Sequence, residues 1–282
     1  MSGTLYVVAT PIGNLEDITL RALRVLREVE VIAAEDTRRT ARLLNHHGIS
    51  SPTVSFHEHN ARTRVPQLLS RLEAGKSVAI VTDAGTPGVS DPGLELVQAA
   101  IDKGIAVDPI PGASAPLAAL VASGFPILPF TAFGFAPNRS QARMKWLADV
   151  AKTPHTFSFF EAPHRILSTL GESHVVFGER PITVAREITK IHQEFIRGTA
   201  KEVSERISNP RGEFTIVVGP QDKVLENREM QFTDDDVVRE FWRITENAHR
   251  TRREIISEVA KRSGRSAKEV YSMIERGKTL GK

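Results

Sequence analysis

Four short segments concentrate the residue types that could hold or activate a small ligand. They are Thr10-Pro11-Ile12-Gly13-Asn14-Leu15, Ala34-Glu35-Asp36-Thr37-Arg38, Thr82-Asp83-Ala84-Gly85-Thr86-Pro87-Gly88 and Pro111-Gly112-Ala113-Ser114-Ala115. Each is rich in Gly, Pro, Ser or Thr, so main-chain groups can approach a ligand closely. Ordinary turn chemistry explains any one of them. Four at the carboxyl ends of predicted strands occupy the edge where open α/β sheets bind ligands. Glu35, Asp36 and Asp83 add carboxylates able to act as general bases. In Phe160-Glu161-Ala162-Pro163-His164-Arg165, Glu161 and His164 can reach one rim, with salt-bridge or capping duty the competing expectation. Arg186-Glu187 reads the same way.

Several chemistries are excluded. Asp83-x-Gly85-x-x-Gly88 follows an apolar strand like a dinucleotide fingerprint, but Pro87 interrupts the turn and Pro92-Gly93 delay the helix. Asp102, the acidic residue about 20 positions on that such a fingerprint needs, falls inside a predicted helix. No GxxxxGK[ST] phosphate loop occurs. His57-Glu58-His59 is a weak metal motif without a third ligand. The 282-residue chain has no cysteine, which removes disulfides, thiolate nucleophiles and Cys-based metal sites. No apolar run reaches the ~18–20 residues of a membrane span. The N-terminal residues carry no targeting pattern, so a cytoplasmic protein is expected.

The elements that must position these loops alternate. Strands are predicted at Leu5–Ala9, Val31–Ala34, Thr53–Phe56, Val78–Val81 and Ala106–Ile110. Helices at Ile18–Val29, Thr37–His47, Ala61–Ala74 and Leu94–Lys103 lie between them, three of them stopped by Gly48, Gly75 and Gly104. This is the pattern of a mostly parallel α/β sheet. A cluster of Pro and Gly from Pro109 to Pro129 marks a boundary, placing one domain at 1–113 and a second at 114–220. The second has predicted strands at Phe130–Phe133, Thr156–Phe160, Val175–Phe177, Ile182–Arg186, Glu194–Ile196 and Phe214–Val218. Its helices are Gln141–Ala151, His164–Gly171 and Ala200–Ser208, which suggests a mixed sheet.

A polar linker, Gln221–Gln231, leads to a three-helix module at 231–282. Capping boxes announce its helices at Thr233-x-x-Asp236, Thr251-x-x-Glu254 and Ser266-x-x-Glu269. Arg262-Ser263-Gly264-Arg265 is a turn of helix-turn-helix length, and Gly277 is the expected end of the last helix. From His249 to Lys282 there are ten Lys/Arg and four Asp/Glu, whereas the whole chain carries only +3. Arg252, Arg253, Arg262, Arg265 and Lys268 are the candidate phosphate contacts of a nucleic-acid surface.

Taken together, TPIGNLEDIT (Thr10–Thr19), AEDTR (Ala34–Arg38), VTDAGTPGVSDPG (Val81–Gly93) and PGASA (Pro111–Ala115) resemble the signature segments of the ribosomal RNA small subunit methyltransferase I family, within the tetrapyrrole-methylase superfamily. FFEAPHR (Phe159–Arg165), AREITK (Ala185–Lys190) and GEFTIVV (Gly212–Val218) continue the resemblance, which spans essentially the whole chain. It implies a two-domain, tetrapyrrole-methylase-like α/β fold, distinct from Rossmann methyltransferases, with a C-terminal helix-turn-helix-like module. It implies S-adenosylmethionine as cofactor, S-adenosylhomocysteine as product and no metal. The implied substrate is a cytidine ribose 2′-hydroxyl of small-subunit ribosomal RNA, free or in the assembled subunit, and the implied assembly is a homodimer with no membrane partner. Matched residue by residue, the cofactor contacts are Pro11, Asp83, Ala84, Gly85, Ser114, Ala115, Phe160, Ala185 and Phe214. Phe160 stands where the family commonly has Tyr. Glu35 and Asp36 are the first candidates for substrate engagement, with Asp83, Glu161 and His164 as further possible bases. Two alternatives use parts of the same sequence: a tetrapyrrole C-methyltransferase, which has no need of the basic tail, and a ligand-sensing DNA-binding regulator, which has no need of an enzyme-like cleft.

Overall fold

A computed structural model of the chain describes residues 2–88, 93–221, 234–247, 251–263 and 265–279, without the side chains of 235, 236, 246, 247, 261, 262 and 277–279. The linker Gln221–Gln231 beyond its first residue, the first capping box and the Arg262 side chain lie outside the described residues. The chain divides into two compact units, Met1–Gly219 and Pro220–Lys282.

In the first unit, β1 (Thr4–Val8), β2 (Val31–Ala34), β3 (Thr53–Ser55), β4 (Val78–Val81) and β5 (Ala106–Ile110) form a sheet of order β3-β2-β4-β1-β5. Every pairing is parallel. Both β2 and β4 are buried along their whole length, as strands covered on two faces must be. Helices α1 (Leu20–Glu28), α2 (Thr37–His46), α3 (Ala61–Glu73) and α4 (Leu94–Asp102) provide that cover. Leu5, Phe56, Leu68, Leu72 and Leu96 pack on one face, and Val8, Val25, Leu26, Ile32 and Leu44 on the other. Because all five strands run the same way, the loops that leave β1, β2 and β4 emerge at one edge.

Helix α5 (Ala115–Ser123) leads to the second sheet: β6 (Phe130–Phe135), β7 (Thr156–Glu161), β8 (Ile182–Arg186), β9 (Glu194–Gly198) and β10 (Phe214–Val218), in order β6-β7-β10-β8-β9. Only β6 and β7 are parallel, so the sheet is mixed. Helices α6 (Ser140–Val150), α7 (Ile166–Phe177) and α8 (Ala200–Arg206) pack against a core rich in Phe157, Phe159, Phe177 and Phe214. Residues Val175–Phe177, expected as a strand, are the last turn of α7. Ile166, Thr169, Leu170, Ser173 and Phe177 are all buried at helical spacing, and this continuous stripe overrides the local β-propensity of the valines. Ile12, Ala119, Leu120, Ala185, Ile188 and Val217 form a further buried cluster joining loops of the first sheet, α5 and the second sheet. That shared packing makes one unit of the two sheets.

The second unit contains α9 (Asp234–Asn247), α10 (Arg252–Ser263) and α11 (Ala267–Thr279) around Val237, Phe241, Ile255, Val259, Val270 and Ile274. The expected capping boxes at the second and third helices are formed. Thr251 and Ser266 accept from the backbone N–H groups of Glu254 and Glu269, whose carboxylates accept in return. Two boundaries differ from expectation. Helix α10 runs through Ser263, past the expected start of the turn at Arg262, and α11 runs through Gly277 to Thr279. An interior glycine costs a helix only about 1 kcal/mol relative to alanine, less than the packing of this face provides.

Candidate functional site

Hydrogen bonds between residues far apart in sequence assemble the site. Thr10 and Gly85 exchange backbone bonds of 2.8 and 3.0 Å, joining the loops after β1 and β4. Gly85 has φ +85°, the left-handed region that favours glycine. The loops after β2 and β4 are tied twice. The Asp83 N–H donates to Glu35 Oε2, and the Asp36 N–H donates to Asp83 Oδ1, both at 3.1 Å. Arg39, from the first turn of α2, pairs with Asp83 Oδ2 at 3.3 Å. Both Asp83 oxygens therefore hold the loop after β2 and the first turn of α2, yet a carboxylate has lone pairs left for a ligand.

A cavity of about 390 Å³ lies where these loops face the second sheet. Of the residues expected at a cofactor, Asp83, Ala84, Gly85, Ser114, Ala115, Phe160 and Phe214 line it. Pro11 instead lines an adjoining cavity, and Ala185 is fully buried behind the wall, packed with Ile12 and Ile188. The strand register explains this neighbourhood: Thr215 pairs with Phe160 on one side and Ala185 on the other. Alternation along β10 sends the Phe214 ring into the second-sheet core while Thr215 takes the opposite face. Sequence reading missed Thr215, Phe135, Arg39 and Glu213, which also line the cavity. The signal for Thr215 was the period-2 alternation of FTIVV, which needs the pairing partners to be oriented.

The candidate bases separate by environment. Asp36 caps α2, accepting the Arg38 N–H at 2.8 Å, and its carboxylate pairs with the Arg38 guanidinium. Hydrogen bonding from Arg38 holds this carboxyl far below the usual range, which weakens it as a proton acceptor. Glu161 is buried, and its oxygens accept from the Ala162 N–H (2.6 Å), the Arg165 guanidinium (2.5 Å) and Thr169 Oγ1 (2.6 Å). It lines the cavity, but its oxygens are taken up in holding the strand-to-helix corner. His164 is exposed and is not among the residues lining the cavity. Glu35 lines the cavity, and its Oε1 has no partner among the described residues.

The segment after β8 clamps the rim. Glu187 and Thr189 adopt φ of +49° and +68°, uncommon for non-glycine residues and frequent at functional sites. Thr189 Oγ1 accepts the Asn14 N–H at 3.0 Å, and a Cβ on Gly13 would stand only 2.5 Å from Lys190 Cγ. Lys190 bonds Glu187 (2.9 Å) and Glu213 (3.0 Å). Burial works against ionisation of Glu187, but the Lys190 hydrogen bond and the Glu213 N–H outweigh it, so its carboxyl lies below the ordinary glutamate value. No group of three or more His, Cys, Asp or Glu able to hold a metal occurs among the described residues.

This constellation has relatives. Residues 4–204 match the family of Tetrapyrrole (Corrin/Porphyrin) Methylases. A ribosomal RNA small subunit methyltransferase I of Halalkalibacterium halodurans is 42% identical over 273 residues, covering 96% of this chain and 94% of the relative. Its Bacillus subtilis counterpart is 41% identical, with 95% and 93% covered. The chain belongs to the ribosomal RNA small subunit methyltransferase I family. Another member, from Thermotoga maritima, is 49% identical and is covered over 98% of its length by 77% of this chain. Among solved structures, a uroporphyrin-III C-methyltransferase from Thermus thermophilus complexed with S-adenosylhomocysteine matches with TM-score 0.55 at 21% identity, over 79% of this chain and all of that one. A diphthine synthase matches with TM-score 0.62 at 15% identity, over 79% and 94%. These two share the fold.

Members of this family are S-adenosylmethionine-dependent methyltransferases, and the cavity's chemistry fits that cofactor. Ile12, Ala84, Pro116, Phe135 and Phe160 offer apolar surface to an adenine and a ribose. The N-terminus of α5 lines the same cavity, and its N-cap Ser114 makes no side-chain capping bond. Its free N–H groups and dipole suit a carboxylate such as that of a methionine moiety.

In the second unit the basic residues divide. Arg252 pairs with Glu275 and lies over the Tyr271 ring at 5.3 Å, and Arg265 pairs with Asp234 at 2.7 Å. Arg253 and Lys268 are exposed, with no ion pair among the described residues.

Proposed function

We propose that the chain methylates the ribose 2′-hydroxyl of a cytidine in small-subunit ribosomal RNA, using the cleft between its two sheets. The observation that carries this reading is the convergence of seven expected cofactor residues on one cavity whose wall also holds the carboxylate of Glu35. S-Adenosylmethionine supplies an electrophilic methyl group when bound. The protein's own contribution is positioning and proton acceptance. Asp83, Ala84, Gly85, Ser114 and Ala115 hold the polar ends of the ligand, while Phe160 and the β10 backbone at Phe214 form the opposing wall. Pro11 and Ala185 support the wall from behind. Glu35 Oε1 accepts the hydroxyl proton, with the Asp83 N–H fixing the orientation of the carboxylate. Asp36 serves as cap and partner of Arg38, holding the loop that presents Glu35.

The two sheets act as two lobes divided near residue 114, and the helical module grips RNA phosphates. Arg253 and Lys268 are exposed cations without an ion pair among the described residues, with Arg252 and Arg265 shaping the surface and Arg262 beside them in sequence. We place the enzyme in the cytoplasm, acting as a homodimer. Leu117 and Val121, one helical turn apart on α5, are half or more exposed, which suits an interface. No helix among the described residues is long and apolar enough to cross a membrane.

The test is labelled methyl transfer from S-adenosylmethionine to small ribosomal subunits from cells lacking this enzyme, to free ribosomal RNA, to porphyrinoids and to DNA. Label on a cytidine ribose supports the proposal. Label only on a porphyrinoid, or none with any acceptor, overturns it.

A further inference from the structure

A second cavity, of about 420 Å³, opens along the same wall as the cofactor cleft. Ile12, Arg39, Asp83, Ala84 and Glu213 line both, so the two spaces adjoin. Its far side is formed by α2, where Arg39 and Arg42 stand three residues apart and so share a helix face. The charges lining it are paired with one exception. Arg39 bonds Asp83, and Lys190 bonds Glu213, but Arg42 has no ion pair among the described residues. Thr82 also lines the cavity. Its hydroxyl is buried with no hydrogen-bond partner among the described residues, and a buried polar group of this kind calls for a partner, an ordered water or a bound ligand.

A concave space with one uncompensated guanidinium, an unsatisfied hydroxyl and a shared border with the methyl-donor cleft suits an anion carried on a sugar. We infer that this cavity takes the acceptor nucleotide, with Arg42 binding the phosphodiester next to the methylated ribose and Thr82 Oγ1 hydrogen-bonding the same nucleotide. The inference rests on the ribose-methylation reading above. A nucleotide within an A-form helix cannot enter such a cavity, so the acceptor is bound unstacked from its neighbours. Arg39 has a different duty: its bond to Asp83 keeps the border between the two spaces in place.

The experiment compares the full-length wild type with Arg42→Ala, Arg42→Lys and Thr82→Val. Methyl transfer to small ribosomal subunits is measured at several salt concentrations, and S-adenosylmethionine binding is measured separately by calorimetry. Arg42→Ala is expected to lower kcat/KM for the subunit by about 10- to 100-fold, as loss of a charged hydrogen bond does. Cofactor affinity should not change. The slope of log affinity against log salt should fall by about 0.7–0.9, one phosphate contact. Arg42→Lys should recover part of the loss, since it keeps the charge without the planar fork. Thr82→Val should lower kcat/KM without lowering the melting temperature, because the hydroxyl makes no bond to any of the described residues. Unchanged kcat/KM in Arg42→Ala, or a loss fully explained by weaker cofactor binding, overturns the inference. An inert wild type overturns the parent reading and the subsite with it, whereas an active wild type with an indifferent Arg42→Ala overturns the subsite alone.

Discussion

Glu35 and Asp36 are neighbours in sequence with opposite prospects as proton acceptors. Asp36 is engaged by the Arg38 backbone and guanidinium, whereas Glu35 lines the cleft with one oxygen unpartnered among the described residues. Glu35→Gln is therefore expected to lower kcat by about 10²–10⁴-fold, the usual contribution of a general base, with cofactor affinity retained. Asp36→Asn should reduce thermal stability more than turnover. Single-turnover kinetics and calorimetry on both variants check this, and equal losses of turnover would contradict the division of roles. Glu161 belongs to another class. Its carboxylate is buried against Arg165, and removing one partner of such a pair costs about 3–5 kcal/mol. Glu161→Ala should appear first in denaturant unfolding, with activity falling only as the folded fraction falls.

At the scale of elements, the segment after β8 closes on the loop after β1 with little room. Gly13→Ala would place its Cβ 2.5 Å from Lys190 Cγ and 3.0 Å from the Ile188 carbonyl oxygen, which is backbone and cannot swing aside. The expected result is weaker cofactor binding by calorimetry in a protein that still folds. The same segment carries an acid sensitivity. Glu187 has its carboxyl lowered from an ordinary value of about 4.5, so its contacts contribute stability that is fully present above that value. That stability is lost as pH falls through the lower folded-state value. Melting temperatures recorded below pH ~4.5 should decline less steeply in Glu187→Gln than in wild type. Parallel slopes would show that the carboxylate does not stabilise the clamp. This clamp was not legible in the sequence. AREITK reads as a strand end, and only its approach to Gly13 and Asn14, about 175 residues earlier, gives it a role.

For the whole molecule, the separation of chemistry from substrate grip is the testable point. Replacing Arg253 and Lys268 together by Ala is expected to weaken affinity for ribosomal subunits and flatten its salt dependence by up to about 1.4–1.8 in slope. Methyl transfer at saturating RNA should persist. A steep loss of kcat with unchanged salt dependence would place these residues in the chemistry instead.

The five strands of the first sheet, their parallel order and the two described capping boxes could be read from the sequence, with some strand ends displaced by one residue, because local interactions fix them. Apolar runs, turn residues and Thr or Ser three positions before Glu act within a few residues. That locality also made the four loops visible as candidates. Val175–Phe177 shows the limit: three residues with strand propensity became helix because a stripe beginning at Ile166 buries the whole face. The tertiary structure alone decided that Asp83 holds Glu35 and Asp36 in register, that Thr215 rather than the Phe214 ring faces the cleft, and that Arg42 borders a cavity without an anionic partner among the described residues. Those outcomes depend on bonds and burial between residues tens of positions apart, and their geometry exists only once the sheets have closed on each other.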